Sequence, residues 1–359
     1  MKRIITLSVD QLYRRQPGGI ATYVRGLVYG LAALDEPIDL VGLAPRDATP
    51  PEALDLPLRL RAAALPLNLL TRLWPLMPLG VPKESQVVHA TSMAGPFGGG
   101  VATAVHSVAM HDLLWRDEPG ATTRAGIKFH EERLSLIKRR GDLRVFTTSP
   151  GLAERLVDLG VAESRIRAVR LGVDDATAQA ADAATVRERL AANGVTGPYT
   201  LYAGTREPRK NLERLIEAHR IARSRSEGLG PLVLVGPPGW GGVATSDATV
   251  IGMVDRSVLL GLYRDAAVFA YVPRAEGWGL PPVEALNAGA RVVASTTTPS
   301  VQSNPSVVLV DPLDVASIAK GLSEALEQGV DAQSVFTRRA SVAELTWRNA
   351  ALDHLAGWQ

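Results

Sequence analysis

The chain has 359 residues, of which 46% are hydrophobic and 21% are charged, and its formal net charge is +2. Such a composition indicates a folded chain of about two domains, and the near-neutral charge argues against nucleic acid as a partner. Cysteine is absent, which excludes disulfides, thiolate metal sites and cysteine nucleophiles. No segment has the length of a signal peptide core or the roughly 18 apolar residues of a membrane span, so we expect a cytoplasmic protein.

The first half of the chain alternates short apolar runs with helical or irregular segments. A strand is predicted at 4–9, and a helix at 20–34, where apolar residues recur at helical spacing. Gly18 and Gly19 lie between them, where bare amide groups at a helix N-terminus suit a phosphate, although a tight turn explains the same glycines. Further strands are predicted at 38–43, 87–90, 102–110 and 144–148. The alternation favours an open parallel sheet.

One histidine of the first half stands at a predicted functional position. His111 and Asp112 directly follow the predicted strand 102–110, and functional groups of open parallel sheets collect at the carboxyl ends of the strands. Asp112 or a nearby carbonyl group could fix the tautomer of His111. His89 also lies beside a short strand, so position alone does not separate the two. We single out His111.

Two segments of the first half have a composition that could contact a membrane surface. Residues 61–82 are rich in leucine and proline, and residues 124–140 contain six basic residues among Glu131 and Glu132. The first segment is explained as a connection that packs over the sheet, and the second as a helix face exposed to solvent. Peripheral contact with the cytoplasmic face of a membrane is the alternative for both.

A loop in the second half of the chain concentrates cations. It follows a strand at 198–203, precedes a helix at 212–225, and contains Arg206, Arg209 and Lys210. Cations are unfavourable at a helix N-terminus, where the helix dipole favours anions. A bound anion would offset this mismatch through charge-assisted hydrogen bonds of about 1.5–3 kcal/mol each. The loop therefore predicts an anion site.

The stretch 274–295 reads RAEGWGLPPVEALNAGARVVAS and predicts a loop and a helix between two strands at 267–272 and 291–294. Pro281 and Pro282 suit the first turn of this helix, and Gly289 suits its end. The helix N-terminus would face the edge of the sheet at which anions bind.

Two carboxylates lie in this stretch. Glu276 is on the loop, where Gly277 and Gly279 allow the backbone to approach a ligand closely. Glu284 follows eight positions later, and we place it in the first helical turn. A partner for the helix dipole is the simpler interpretation of Glu284, worth about 0.3–1 kcal/mol.

These four features occur together in one known family. The Gly-Gly turn, the His-Asp strand end, the cationic loop and the Glu-x7-Glu unit resemble the retaining glycosyltransferases of the GT-B fold, in the large family 4 (glycosyltransferase group 1). The similarity covers nearly the whole chain and is most specific between Leu201 and Ser295. After Ser295 this chain departs from the family, because the segment 296–307 is shorter.

The resemblance implies an α/β fold with two Rossmann-like domains that face each other across a cleft. The boundaries would be 1–175 for an acceptor-binding domain and 176–344 for a nucleotide-sugar-binding domain. A C-terminal helix at about 345–359 would pack back on the first domain. The hinge between the domains is expected within 171–196, which is rich in alanine and polar residues.

The resemblance also implies roles for individual residues. Arg206 and Lys210 would grip the diphosphate, Glu276 would bind the donor sugar, and Glu284 would bind the ribose hydroxyl groups. Val254 would lie near the base. The remaining carried-over positions are His111 near the transferring sugar, the backbone of Gly18 and Gly19, and Gly277, Trp278, Gly279, Leu280 and Pro281 around the sugar and phosphate.

The implied reaction is retaining transfer of a mannose-type or glucose-type hexose from a nucleotide-diphosphate sugar, as in polysaccharide biosynthesis. The acceptor would be a hydroxyl group of a glycan, a lipid-linked glycan or a small molecule. No Asp-x-Asp occurs in the chain, so we expect no metal and no other cofactor. The alternatives are an epimerase or phosphorylase of the same fold and a non-catalytic nucleotide-sugar-binding subunit.

Overall fold

The computed structural model describes residues 2–14, 18–46 and 56–359. The chain forms two compact units: unit 1 consists of Met1–Gly172 and Leu345–Gln359, and unit 2 is Val173–Glu344. Within the described ranges, unit 1 contains a sheet of seven strands and unit 2 a sheet of six. In both units helices connect many of the parallel strands, and the expected α/β class with two Rossmann-like units is confirmed.

The strands of unit 1 pair in parallel in the order β3-β2-β1-β4-β5-β6-β7. Those of unit 2 pair in parallel in the order β10-β9-β8-β11-β12-β13. The strands are β1 (Arg3–Ser8), β2 (Ile38–Ala44), β3 (Arg59–Ala62), β4 (Val87–Ala90), β5 (Val105–Met110), β6 (Arg144–Thr147), β7 (Ile166–Ala168), β8 (Thr200–Ala203), β9 (Leu232–Val235), β10 (Thr249–Gly252), β11 (Val268–Tyr271), β12 (Val292–Ser295) and β13 (Val307–Val310).

The helices are interspersed among the strands along the chain. They are α1 (Gly19–Ala32), α2 (Leu67–Leu73), α3 (Leu114–Asp117), α4 (Arg124–Arg139), α5 (Pro150–Asp158), α6 (Ala176–Gln179), α7 (Ala183–Ala191), α8 (Leu212–Arg223), α9 (Arg256–Asp265), α10 (Leu280–Asn287), α11 (Val315–Glu327), α12 (Ala332–Ala340) and α13 (Trp347–Gly357). Because the loops after β8 and β11 leave the carboxyl ends of neighbouring parallel strands, they come together at one edge of the sheet of unit 2.

The C-terminal helix α13 completes unit 1 by packing on α1. Two glycines of α1 make the close approach possible: a Cβ atom at Gly26 would lie 2.0 Å from the ring of Trp347, and one at Gly30 would lie 2.2 Å from the carbonyl oxygen of Trp347. Gly172, at the end of the first segment of unit 1, meets the same residue, since its Cβ would lie 2.2 Å from the Trp347 nitrogen.

A buried polar network joins α13 to the core of unit 1. Trp358 Nε1 donates to Ser107 Oγ at 2.9 Å, Ser107 Oγ lies 2.8 Å from His89 Nδ1, and Tyr23 OH lies 2.7 Å from His89 Nε2 and 2.8 Å from His354 Nε2. When both imidazoles are neutral, each group can donate to the next in the order Trp358, Ser107, His89, Tyr23 and His354, so that every group is satisfied. Burial favours that state, because it lowers the pKa of His354 to about 4 and that of His89 well below its usual range.

The contact between α1 and α13 generates a stability prediction. In Gly30→Ala the new methyl group would overlap the backbone of Trp347, and we expect the free energy of unfolding to fall by about 1–3 kcal/mol. Denaturant unfolding measures the change. The matched control is Gly151→Ala in α5, where no described atom lies within 4 Å of the Cβ position. An equal loss in both variants would contradict the packing argument.

Candidate active site

The cationic loop of unit 2 is anchored by one residue with an unusual backbone. Asn211 has a φ of +61° in the left-handed region, between the 3-10 turn Pro208–Lys210 and helix α8. Its buried side chain donates to the carbonyl oxygens of Val272 at 3.0 Å and Pro312 at 2.7 Å. The loop after β8 is therefore fastened to the residue that follows β11, and this fixes the backbone from which its cationic side chains extend.

Lys210 and Glu276 form the centre of this edge of the sheet. Their side chains are 10% and 13% exposed, and Lys210 Nζ lies 2.6 Å from Glu276 Oε2. Tyr271, at the end of β11, accepts from Lys210 at 2.5 Å and donates to Glu276 Oε2 at 2.5 Å. Arg209 adds a contact of 3.1 Å to the same oxygen. We call these four residues the Glu276 cluster.

The Glu276 cluster holds its carboxylate in the ionised form. Burial by itself would raise the pKa of Glu276, but the charges of Lys210 and Arg209, together with hydrogen bonds from Lys210 and Tyr271, lower it well below its usual range. A carboxylate of this kind accepts hydrogen bonds throughout the neutral pH range and does not exchange protons there. It is therefore suited to binding hydroxyl groups.

The three cations of the loop do not share one position. Arg209 and Lys210 both contact Glu276, whereas the guanidinium of Arg206 lies 3.4 Å from the carbonyl oxygen of Gly236, at the end of the neighbouring strand β9. The sequence placed all three cations in one anion site, and the family resemblance gave the diphosphate to Arg206 and Lys210 without a separate role for Arg209. The local sequence held no signal that separates Arg206 from Arg209, because both precede the same helix.

The glycine loop, residues 277–279, places the start of α10 beside the Glu276 cluster. Gly279 has a φ of +94°, and a Cβ there would lie 2.4 Å from Thr298 Cγ2. Since Pro281 and Pro282 have no amide hydrogen, the N–H groups at the helix start come from Gly279, Leu280 and Val283.

The side chains before this helix leave hydrogen-bonding capacity at the loop. Trp278 is 6% exposed, and its Nε1 has no hydrogen-bond partner within the described ranges. The amide of Gly277 donates to Glu276 Oε1 at 3.2 Å. At the other end of α10, Gly289 has a φ of +88°, which confirms its predicted role in ending the helix.

The placement of Glu284 in the first helical turn is wrong. Helix α10 begins at Leu280, so Glu284 is its fifth residue and lies in the second turn, with 6% exposure. Its Oε2 accepts from Tyr263 at 3.1 Å, and its Oε1 lies 2.9 Å from Arg256. Sequence reasoning missed Arg256, which stands two residues after the half-buried Val254, at the first position of α9.

The candidate histidine of unit 1 lies in a cavity of about 460 Å³. His111 Nε2 lies 2.8 Å from the carbonyl oxygen of Thr91, and its ring makes an edge contact with Tyr23 at 4.9 Å between centroids. A carbonyl oxygen only accepts, so the proton is on Nε2, and Nδ1 carries the free lone pair. Burial lowers the pKa of His111 and outweighs the opposing effects of Thr91 and Asp112. Asp112 itself accepts from the amide of Leu114.

The cavity of unit 1 has mixed polar and apolar walls. Its lining includes Gln11, Arg14, Ile20, Ser92, Met93, His111, Asp112, Trp115, Phe129 and His130. Gly18 precedes α1 and Gly19 begins it, one residue before Ile20 of the lining; no described atom lies within 4 Å of a Cβ position at either glycine. His89 does not line this cavity, because it lies within β4 and is fully buried.

The two segments considered for membrane contact pack together. Arg133, expected on a solvated face of α4, is buried instead: it donates to the carbonyl oxygen of Thr71 at 2.5 Å and lies 4.7 Å from the centre of the Phe129 ring. Leu76 and Met77 remain 61% and 45% exposed. No helix of the described residues has the length and apolar character to cross a membrane, and within the same ranges no three acidic or histidine side chains group as metal ligands.

Comparison with known proteins identifies the family. A model described as "Glycosyl transferase 4-like domain" matches residues 18–172, and one described as "Glycosyl transferases group 1" matches residues 197–328. HepE of Anabaena, solved with UDP and glucose, superposes with a TM-score of 0.73 at 14% identity, over 99% of this chain and 98% of that one. The chain belongs to the group 1 glycosyltransferases and has the GT-B fold.

Other similar proteins agree with this assignment. Sucrose-phosphate synthase of Thermosynechococcus elongatus has a TM-score of 0.74 at 21% identity, over 99% of this chain and 98% of that one. The O-antigen chain mannosyltransferase B of Escherichia coli is 32% identical over 42% of this chain, and the serotype-specific mannosyltransferase WbdA of Escherichia coli is 30% identical over 42%. The matches cover 43% and 20% of the lengths of these two relatives.

The buried ion pair generates a second stability prediction. In Lys210→Met, Glu276 keeps Arg209 but loses its closest cation, and we expect the free energy of unfolding to fall by about 3 kcal/mol. The double variant Lys210→Met/Glu276→Gln should recover part of this loss, because no buried carboxylate is then left short of positive charge. Denaturant unfolding of both variants measures the recovery.

The matched control is the exposed pair of α11. Lys320 lies 3.2 Å from Glu324 and is 78% exposed, so Lys320→Met should change stability by about 0.5 kcal/mol or less. A double variant no more stable than Lys210→Met would show that the two charges of the cluster are not coupled.

Proposed function

We propose that the protein transfers mannose from a nucleotide-diphosphate mannose to a hydroxyl group of a glycan acceptor, with retention at the anomeric carbon. The observation that carries the proposal is the Glu276 cluster, in which two cations and an ionised carboxylate are held at the carboxyl edge of the sheet of unit 2. The Escherichia coli relatives are named as mannosyltransferases, and this supports mannose and a glycan.

The cations of the cationic loop would stabilise the departing diphosphate. Cleavage of the bond between sugar and phosphate places negative charge on the leaving group, so cations fixed beforehand stabilise the transition state more than the ground state. We assign this role to Lys210 and Arg206, and add Arg209 because it reaches the same carboxylate as Lys210. Group 1 enzymes retain configuration, and the leaving phosphate would itself take the proton of the acceptor, so no nucleophile is assigned.

Glu276 would bind hydroxyl groups of the donor sugar. Its Oε2 already accepts from Lys210, Arg209 and Tyr271, whereas its Oε1 accepts from the amide of Gly277 at 3.2 Å. An ionised carboxylate oxygen can accept at least two hydrogen bonds, so Oε1 retains capacity for a hydroxyl group. The backbone from Gly277 to Pro281, which includes Trp278, would surround the sugar and phosphate.

The nucleoside would lie further along unit 2. Glu284 would accept hydrogen bonds from the ribose hydroxyl groups, and Val254 would flank the base. In unit 1, the cavity at His111 would hold the acceptor, and the amides of Gly18 and Gly19 would contribute to phosphate binding. His111 is neutral at physiological pH because its pKa is lowered, so its Nδ1 can accept a hydrogen bond from a sugar hydroxyl group.

A panel of donors tests the substrate class. We expect nucleotide-diphosphate mannose to raise the melting temperature more than the corresponding glucose compound, measured by thermal shift with guanine, adenine and uracil nucleotides. A donor present at 100 times its dissociation constant stabilises the folded state by about 2.7 kcal/mol. A larger shift with uridine diphosphate glucose would replace mannose by glucose, and no shift with any member would contradict the proposal.

Single variants of the cationic loop test the transferase chemistry. Arg209→Gln, Lys210→Gln and Arg206→Gln should each lower the slow hydrolysis of the bound donor, by about 100–1000-fold where the cation contacts the diphosphate. Release of nucleoside diphosphate measures the rate, and circular dichroism checks the fold. Arg220→Gln, an exposed arginine of α8, is the matched control. Full activity in Arg206→Gln beside its loss in Arg209→Gln would transfer the diphosphate role from Arg206 to Arg209.

A further inference from the structure

We propose that Arg256 is a positioning residue that holds Glu284 in place for the ribose hydroxyl groups of the donor. The inference rests on the proposed role of Glu284 and deepens it. Arg256 reaches this carboxylate from a different element, since it begins α9 while Glu284 lies in α10. The same guanidinium also contacts Asp174, near the start of unit 2.

The geometry of Arg256 is that of a bridge between two carboxylates. Arg256 Nη2 lies 2.9 Å from Glu284 Oε1 and 3.2 Å from Asp174 Oδ2, and Arg256 Nε lies 3.3 Å from the same Asp174 oxygen. A planar guanidinium can make these contacts together, whereas the ammonium group of lysine lacks the second, fixed donor. The bridge therefore depends on arginine in particular.

The position of Arg256 would be unfavourable without these partners. A cation in the first turn of a helix opposes the helix dipole, and Arg256 is the first residue of α9. Although burial lowers the pKa of Arg256, the charges of Glu284 and Asp174 raise it above its usual range. The two carboxylates thus determine where this guanidinium lies.

Both oxygens of Glu284 are fixed, and both keep capacity for a ligand. Tyr263 donates to Oε2 at 3.1 Å, while Arg256 holds Oε1. Each carboxylate oxygen has a second acceptor position, and two adjacent hydroxyl groups of a ribose are suitable donors for them. Loss of Arg256 would free Oε1 and remove the cation that balances a carboxylate of 6% exposure.

The contacts of Asp174 also attach the beginning of unit 2 to helix α10. Asn287, one turn after Glu284 in α10, donates from Nδ2 to the carbonyl oxygen of Asp174 at 2.6 Å. Asp174 is thus held by its backbone through Asn287 and by its side chain through Arg256. This second attachment fixes the position of Asp174, the other carboxylate that Arg256 contacts.

The test compares ribose with deoxyribose. Guanosine diphosphate and uridine diphosphate, each with its 2′-deoxy and 3′-deoxy forms, are titrated calorimetrically against the full-length protein and the variants Arg256→Ala, Arg256→Gln and Arg256→Lys. Hydrogen bonds to a charged carboxylate predict that the natural protein prefers the ribose form by about 10–100-fold. In Arg256→Ala and Arg256→Gln this preference should fall to about twofold, with the deoxy forms bound nearly as before.

The remaining variants separate positioning from general stability. Arg256→Lys should keep an intermediate preference for ribose, because lysine keeps the charge but lacks the planar guanidinium. Asp174→Asn should lower the preference for ribose less than Arg256→Ala does. Arg220→Ala, at an exposed position of α8, should leave the preference unchanged. Equal weakening of all nucleotide forms in Arg256→Ala and Arg256→Gln would indicate a structural role only and overturn the inference.

The result for the unsubstituted protein separates the proposed role of Glu284 from the proposed role of Arg256. A protein that binds nucleoside diphosphates without preferring ribose would refute the ribose role of Glu284, and the inference would fall with it. A ribose preference that persists undiminished in Arg256→Gln would leave Glu284 in its role and refute only the contribution of Arg256.

Discussion

The organisation of unit 2 depends on one buried interaction, the ion pair of Lys210 with Glu276. The two charges come from the loops after β8 and β11, and removing either one would leave the other buried with less compensating charge. Because Arg209 and Tyr271 converge on the same carboxylate oxygen, the cluster joins the cationic loop to the glycine loop. The start of α10 follows directly, so its position is set by the same interaction.

Helix α10 is held by charge at two points. Glu276 lies just before the helix and belongs to the Glu276 cluster. Glu284 lies in the second turn of the helix and pairs with Arg256. Both carboxylates are fixed by donors from other elements before any ligand arrives. Electrostatic groups that need no rearrangement during the reaction stabilise a transition state at least cost, and the described geometry of α10 meets this condition.

The apolar strands were predictable, and the exposed ones were not. Val87–Ala90 matches its predicted limits, and Val292–Ser295 differs from the predicted 291–294 by one residue, because strands buried in a parallel sheet read as continuous apolar runs. Strands Arg59–Ala62 and Ile166–Ala168 lie at the edges of the sheet of unit 1, and most of their residues are exposed or charged. Their sequences carry no apolar run, so hydrophobic patterning could not find them.

The site could be predicted as a set of loops but not as a set of contacts. The sequence placed Lys210 and Glu276 in loops that follow two predicted strands, yet it could not tell that Arg209 rather than Arg206 reaches the carboxylate. Arg256 and its partner Asp174 are separated by 82 positions, and no local pattern joins them. Partners of this kind are fixed by tertiary packing alone.

The roles of His89 and His111 in unit 1 could not be separated from the sequence either. His89 and His111 both adjoin short strands in the sequence, but His89 is part of a buried network that Tyr23 extends to His354, 331 positions along the chain from Tyr23. Since that network needs the C-terminal helix, the last residues of the chain decide which histidine is structural. His111 lies outside the network's hydrogen bonds: it makes an edge contact with Tyr23, donates from Nε2 to Thr91, and lines the cavity of unit 1. The helix α13 therefore contributes to the candidate site indirectly, by binding the other histidine within the core.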